Sequence, residues 1–194
     1  MFLNKYLFLL LIWSTTSLKA DMTSEGFERF LNYYFVETGT NSGGGVKLAL
    51  RANFSEIHSI EIDNNLATNA QIMFKNFNNI HIWIGDSGSI LWNVIKDMNK
   101  PITFWLDGHN SSGILLAKGK NTPILNELDQ IKLHPIKTHT IIIDDVRLFG
   151  SAEFDFITKE QVIQKILGIN PHYVITYVNG TYGGDIMVAQ INEK

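Results

Sequence analysis

The 194-residue chain has no cysteine, which excludes disulfides, thiolate zinc sites, iron–sulfur clusters and a cysteine nucleophile. Prolines number only four and charged residues make up 18% of the chain, so proline-rich linkers and highly charged disordered tails are missing as well. An excess of positive charge is also absent. Lys and Arg total 16 against 19 Asp and Glu, a formal net charge of −3. That balance gives no basic field of the kind nucleic-acid binding needs, and no nucleic-acid partner is expected. What the chain does have is 45% hydrophobic residues. A chain of this length forms one domain and buries roughly 70% of the surface its unfolded form exposes.

Residues 1–20, MFLNKYLFLLLIWSTTSLKA, place Lys5 before an apolar run from Tyr6 to Trp13 and end in a polar stretch closing at Ala20. This is the layout of a secretory signal, and the run is too short to span a bilayer. Ala20 suits the cleavage rule, whereas Leu18 stands where a small residue is preferred. The expectation is a leader over 1–20, an exported protein and a single domain over 21–194. If uncleaved, the leader is the chain's one expected contact with a membrane.

After residue 30, short β-rich runs alternate with stretches of helical period. The strands are expected at Tyr34–Glu37, Ile57–Ile62, Ile80–Ile84, Ile102–Leu106, Thr140–Ile143, Tyr173–Val178 and Ile186–Ile191. Between them Leu66, Ala70, Phe74 and Phe77 recur at helical spacing, as do Ile90, Leu91, Val94, Ile95 and Met98. Thr122-Pro123 reads as an N-cap followed by proline at the first helical position, and Thr158 with Gln161 as a capping box. Steady alternation of strand and helix means an α/β fold, Rossmann-like and doubly wound, with a mostly parallel seven-stranded sheet. The loop joining the last two strands, residues 179–185, is too short for a crossover, so those strands form a C-terminal antiparallel hairpin.

Ligands of open α/β sheets bind outside the carboxyl ends of the strands. The first strand runs into Glu37-Thr38-Gly39-Thr40-Asn41-Ser42-Gly43-Gly44-Gly45, a turn that lets a ligand approach the backbone and the next helix's free N–H groups. It does not fit the dinucleotide fingerprint, because Asn41 stands where the second glycine belongs. The looser Thr-Gly-x-x-x-Gly-x-Gly of short-chain dehydrogenases does fit, but no tyrosine has a lysine four residues on, as that chemistry requires. The second strand ends in Glu61-Ile62-Asp63, where a carboxylate can accept from both hydroxyls of a ribose. After the third come Gly85-Asp86-Ser87, placed either to meet an adenine edge or to cap the next helix. Together these ends describe a pocket for an adenosine-bearing ligand.

On these residues the chain, over roughly 33–191, resembles the class I S-adenosylmethionine-dependent methyltransferases. The resemblance implies S-adenosyl-L-methionine as cofactor, with Glu37, Gly39 and Gly43 against its methionine part, Glu61 on the ribose, and Asp86 and Ser87 near adenine. The fourth strand ends in Asp107-Gly108-His109 and the fifth in Asp144-Asp145, an oxygen-rich group suited to magnesium or another hard divalent cation. This is similar to the metal-dependent small-molecule O-methyltransferases, including those acting on sugars. It implies metal ligation by Asp107, Asp144 and Asp145, with His109 as general base beside Asp107 in the catalytic pair. Without a metal, Asp144 or Asp145 is expected to pair with Arg147 or cap a turn. Glu127 is expected on a solvated helix face, and Trp83, Trp92 and Trp105 in the core. The expected function is transfer of a methyl group to a hydroxyl of a small polar or sugar-like molecule. The alternative is an exported nucleoside- or carbohydrate-binding module that keeps the fold without catalysis, since S-adenosylmethionine is made in the cytosol and export conflicts with its supply.

Overall fold

The computed structural model describes residues 23–109 and 119–191. The expected leader and its cleavage point lie outside the described residues. Seven strands form one sheet: β1 (Tyr34–Thr38), β2 (Glu56–Glu61), β3 (Ile80–Ile84), β4 (Ile102–Leu106), β5 (Thr140–Ile143), β6 (Tyr173–Val178) and β7 (Ile186–Ile191). Among the described residues six α-helices join or precede them: α1 (Ser24–Glu28), α2 (Gly44–Arg51), α3 (Asn64–Phe74), α4 (Ser87–Ile95), α5 (Ile124–Leu133) and α6 (Lys159–Ile169). The strand order is β3-β2-β1-β4-β5-β7-β6. β1 to β5 are parallel, while β7 runs antiparallel to both β5 and β6. The expected Rossmann-like sheet and C-terminal hairpin are therefore both present.

Period-two alternation sorts the strand residues onto two faces. Val36, Ile60, Phe104, Leu106, Ile141 and Ile143 meet the apolar sides of α4, α5 and α6 in one core cluster. Phe35, Ile57, Trp105 and Ile142 meet α1, α2 and α3 in the other. Because both faces are covered, the central strands are apolar throughout rather than alternating. The faces exchange at β1 and β4, where the chain returns from the β3 edge to the middle of the sheet. That reversal of strand order leaves a crevice at the carboxyl ends, the usual ligand site in such sheets.

The element boundaries fall within a residue or so of their local sequence signals. The Thr158–Gln161 capping box starts α6, with the side chains of both residues reaching backbone groups. At α5 the boundary shifts by one: Pro123 is the N-cap residue, and the Thr122 hydroxyl still accepts the Ile124 N–H at 3.4 Å. β1 runs one residue further than its apolar pattern, through Thr38, because the register with Leu106 of β4 continues to that point. Trp83 departs from the core reading; it is 38% exposed because β3 is an edge strand. No described helix is long and apolar enough to cross a membrane.

Candidate active site

The β1–α2 loop lies across the reversal of strand order. Gly39 has φ +88°, and a Cβ there would lie 2.6 Å from the carbonyl oxygen of Asp107, so glycine is required both by conformation and by the close approach of the β4 end. Beneath the loop, Glu37 is 2% exposed. Ser59 donates a 2.5 Å hydrogen bond to Glu37 Oε2, and the Thr40 and Ser59 hydroxyls are 2.6 Å apart. Burial pushes the Glu37 carboxyl up to about 8, helped by the charges of Asp107 and Glu61 and opposed by the Ser59 bond. Glu37 thus supports the loop from below rather than lining its surface.

Glu61 holds the loop from the side. Its Oε2 accepts the Asn41 N–H at 2.7 Å and its Oε1 accepts the Asp63 N–H at 2.9 Å. Each carboxylate oxygen keeps a further lone pair. Asp86, left open between adenine and helix capping, caps: its side chain accepts from the Gly88 N–H at 2.9 Å and from the Ser89 hydroxyl at 3.0 Å. Ser87 turns inward and donates to Glu127 Oε1 at 2.5 Å.

Glu127 is therefore not on a solvated face; it is 1% exposed. One neighbour explains this. Gly108 leaves the Cβ space that Glu127 Oε1 and the Thr38 hydroxyl both border, at 3.3 and 3.2 Å. Burial raises the Glu127 carboxyl to about 7, with the Ser87 bond opposing and Asp86 and Asp107 adding to the rise. Glu127, Thr122, Asp107 and His109 line a narrow cleft closed by Leu106, Ile143 and Phe154. The cue missed in the sequence was Gly108, whose lack of a side chain leaves the space that the acid borders.

At the ends of β4 and β5 the imidazole of His109 lies between two carboxylates. Its Nδ1 is 3.2 Å from Asp107 Oδ1 and its Nε2 is 3.1 Å from Asp145 Oδ2. Burial alone would lower the His109 pKa, but Asp107, Asp145 and Asp144 together outweigh it and raise the value. The ring of Phe154 packs 5.2 Å from the imidazole, centroid to centroid. Asp145 has a left-handed backbone, φ +57°, a conformation Asp tolerates better than most residues. Its other oxygen pairs with Arg147, which also pairs with Asp185.

The acids expected to form one group divide into two overlapping ones. Asp107, His109 and Asp145 offer ligand atoms within 4.8 Å of one another, and so do Asp144, Asp145 and Asp185. Asp185, which precedes β7, was not singled out in the sequence. Only the antiparallel pairing of β7 with β5 brings it there.

No family model matches the chain and no curated protein matches it. Solved structures do. A Podospora anserina methyltransferase, PaMTH1, with S-adenosylhomocysteine bound aligns at TM-score 0.57 and 10% identity, over 84% of this chain and 73% of that one. A Bacillus cereus O-methyltransferase in complex with S-adenosylhomocysteine aligns at 0.57 and 16%, over 86% and 78%. This chain has the class I methyltransferase fold. The Streptomyces achromogenes O-methyltransferase TomG, involved in tomaymycin synthesis and solved with S-adenosylmethionine, shares that fold at 0.55 and 15%, over 88% and 78%. In this chain the methyltransferase fold places Gly39, Glu61 and Asp86 at the carboxyl ends of β1, β2 and β3, and the His109 group at those of β4 and β5.

Proposed function

We propose that the protein is an S-adenosylmethionine-dependent O-methyltransferase acting on a hydroxyl of a small polar molecule. The observation that carries this reading is the adjacency of two sets of groups. A glycine loop with an acid at the end of β2 lies next to a carboxylate–imidazole group on β4 and β5, across the same reversal of strand order. The cofactor supplies an electrophilic methyl group. Glu61 and the Asn41 backbone shape its ribose end, and the close approach of Gly39 to Asp107 keeps the methyl donor's loop against the acceptor side.

The donor set also suits a divalent cation. Two carboxylates and one imidazole converge, and the Asp145 oxygen that faces His109 is distinct from the one paired with Arg147. Asp107, His109 and Asp145 would hold the ion, which would lower the pKa of an acceptor hydroxyl. Two such carboxylates are enough for magnesium or manganese, which keep several waters. His109 then has two possible tasks, ligand or base. As a base it needs a ring nitrogen freed from its carboxylate, and an acceptor hydroxyl entering at Nε2 in place of Asp145 frees one.

Export remains part of the proposal through the leader pattern of residues 1–20. The deciding experiment is calorimetric titration of the full chain with S-adenosylhomocysteine. Saturable one-to-one binding is expected, and folded protein that does not bind it overturns the enzyme reading in favour of a binding module.

A further inference from the structure

A second group of side chains of metal-ligating type lies away from the carboxyl-end site, toward the start of β2 and β3. Parallel register pairs His58 with His81 and Ile60 with Trp83. Period two then puts Glu56, His58, His81 and Trp83 on one face, the face shared with Ile60. The imidazoles stack with centroids 4.7 Å apart and planes inclined by 29°. Glu56 Oε1 lies 3.2 Å from His58 Nε2 and 3.5 Å from His81 Nε2. All three ligand atoms fall within 4.8 Å of one another.

We propose that Glu56, His58 and His81 form a binding site for a borderline divalent transition metal, zinc being the type ion. Three lines of chemistry support it. Ligands at the zinc–nitrogen bond length of 2.0–2.1 Å in a tetrahedron are about 3.3–3.4 Å apart, and the two carboxylate–imidazole separations bracket that spacing. Two imidazoles and one carboxylate select zinc, nickel or copper over magnesium and calcium. Access also fits: the His81 and Glu56 side chains are 42% and 33% exposed while His58 is 9% exposed, so an ion enters from solvent and keeps water in its open position.

One hydrogen bond must change for the site to fill. Trp83 Nε1–H donates to His58 Nδ1 at 3.1 Å. A neutral imidazole carries a single proton, so the His58 proton is on Nε2, the nitrogen the metal needs. Binding moves that proton to Nδ1, and Nδ1–H can no longer accept from Trp83. The indole, half-exposed on an edge strand, therefore turns away. This couples metal binding to the environment of one tryptophan. It also separates this site from the Asp107–His109–Asp145 group, whose described ring neighbour is Phe154.

The test is titration of chelator-treated full-length protein with zinc chloride, followed in parallel by calorimetry and tryptophan fluorescence, and repeated with magnesium chloride. Zinc is expected to bind and to shift the emission; any shift that magnesium causes should differ from it. His81→Ala, and His81→Gln as a variant that preserves more bulk, should each weaken zinc binding by roughly tenfold or more. Trp83→Phe should bind zinc at least as tightly, with the emission change lost. Asp145→Asn should leave the zinc-dependent emission change in place. No saturable zinc binding, binding unaltered in folded His81 variants, or loss of the emission change in Asp145→Asn alone would each overturn the proposal. None of these readouts depends on methyl transfer, so the site stands or falls independently of the enzyme reading.

Discussion

Gly45 faces the carboxyl group of Glu37 so closely that a Cβ at residue 45 would lie 1.8 Å from Glu37 Oε1. The acid cannot easily retreat, since Ser59 holds its other oxygen and the residue is almost wholly buried. Gly45→Ala is therefore expected to displace the β1–α2 loop. Overpacking of this kind costs about 1–3 kcal/mol. The melting temperature should fall while the far-UV circular dichroism of the folded protein is unchanged, and S-adenosylhomocysteine affinity should fall with it. A variant that melts and binds like the parent would show that the Glu37 side chain moves freely.

Glu37 also makes stability depend on pH. Its folded pKa, about 8, lies above the ordinary 4.5 because burial penalises the charged form. The native state therefore holds a proton that the unfolded chain has released, and stability falls as pH rises from about 4.5 through about 8. Glu37→Gln should flatten that slope and be the more stable form at pH 8, by an amount on the order of a few kcal/mol. Denaturant midpoints measured from pH 5 to pH 8 check it; parallel slopes for the two proteins would refute the assignment.

A buried histidine has the opposite effect at acid pH. His139 accepts the Ile102 N–H at Nδ1, so its Nε2 proton points to His134 Nδ1, 3.1 Å away. Burial, then the neighbouring His134 and Lys137, lower the His139 pKa to about 3. Below pH 6.5 the unfolded chain takes up a proton there that the native state refuses, so stability falls as pH falls from about 6.5 toward 3. His139→Gln should lower stability at neutral pH, where it disturbs this chain of hydrogen bonds, and weaken the acid dependence. An acid limb of undiminished slope in the variant would assign the loss to other groups.

Glu127 joins the β3 end to the β4 end through Ser87 and the space above Gly108. Glu127→Ala leaves the buried Ser87 hydroxyl without its acceptor, at about 1–3 kcal/mol. Glu127→Gln keeps an acceptor oxygen and should recover most of the loss in thermal melts. Equal destabilisation by Ala and Gln would mean that the carboxyl is not the acceptor that matters.

At the carboxylate–imidazole group, Asp107→Asn should weaken manganese binding, read by electron paramagnetic resonance, by roughly tenfold or more. S-adenosylhomocysteine affinity should change much less. Manganese that binds the variant as it binds the parent would place the ion elsewhere.

The strands, their alternation with helices, the terminal hairpin and the glycine turn are legible in the amino-acid sequence alone. Each of these is written in a few consecutive residues: the β-branched run of Thr140–Ile143, the capping pair Thr158 and Gln161, the short loop before β7. Local sterics and hydrogen bonding act over that range, so local spacing reveals them. Tertiary structure decided which side chains meet. Asp185 reaches Arg147 across 38 positions because β7 returns antiparallel beside β5. Glu127 is buried because Gly108, at the end of another strand, leaves room beside it. His58 stacks on His81 because two parallel strands settle into one register rather than the next. A slip of a single residue turns every side chain of a strand to its other face, so such encounters depend on strand order and register, which no short window of sequence contains.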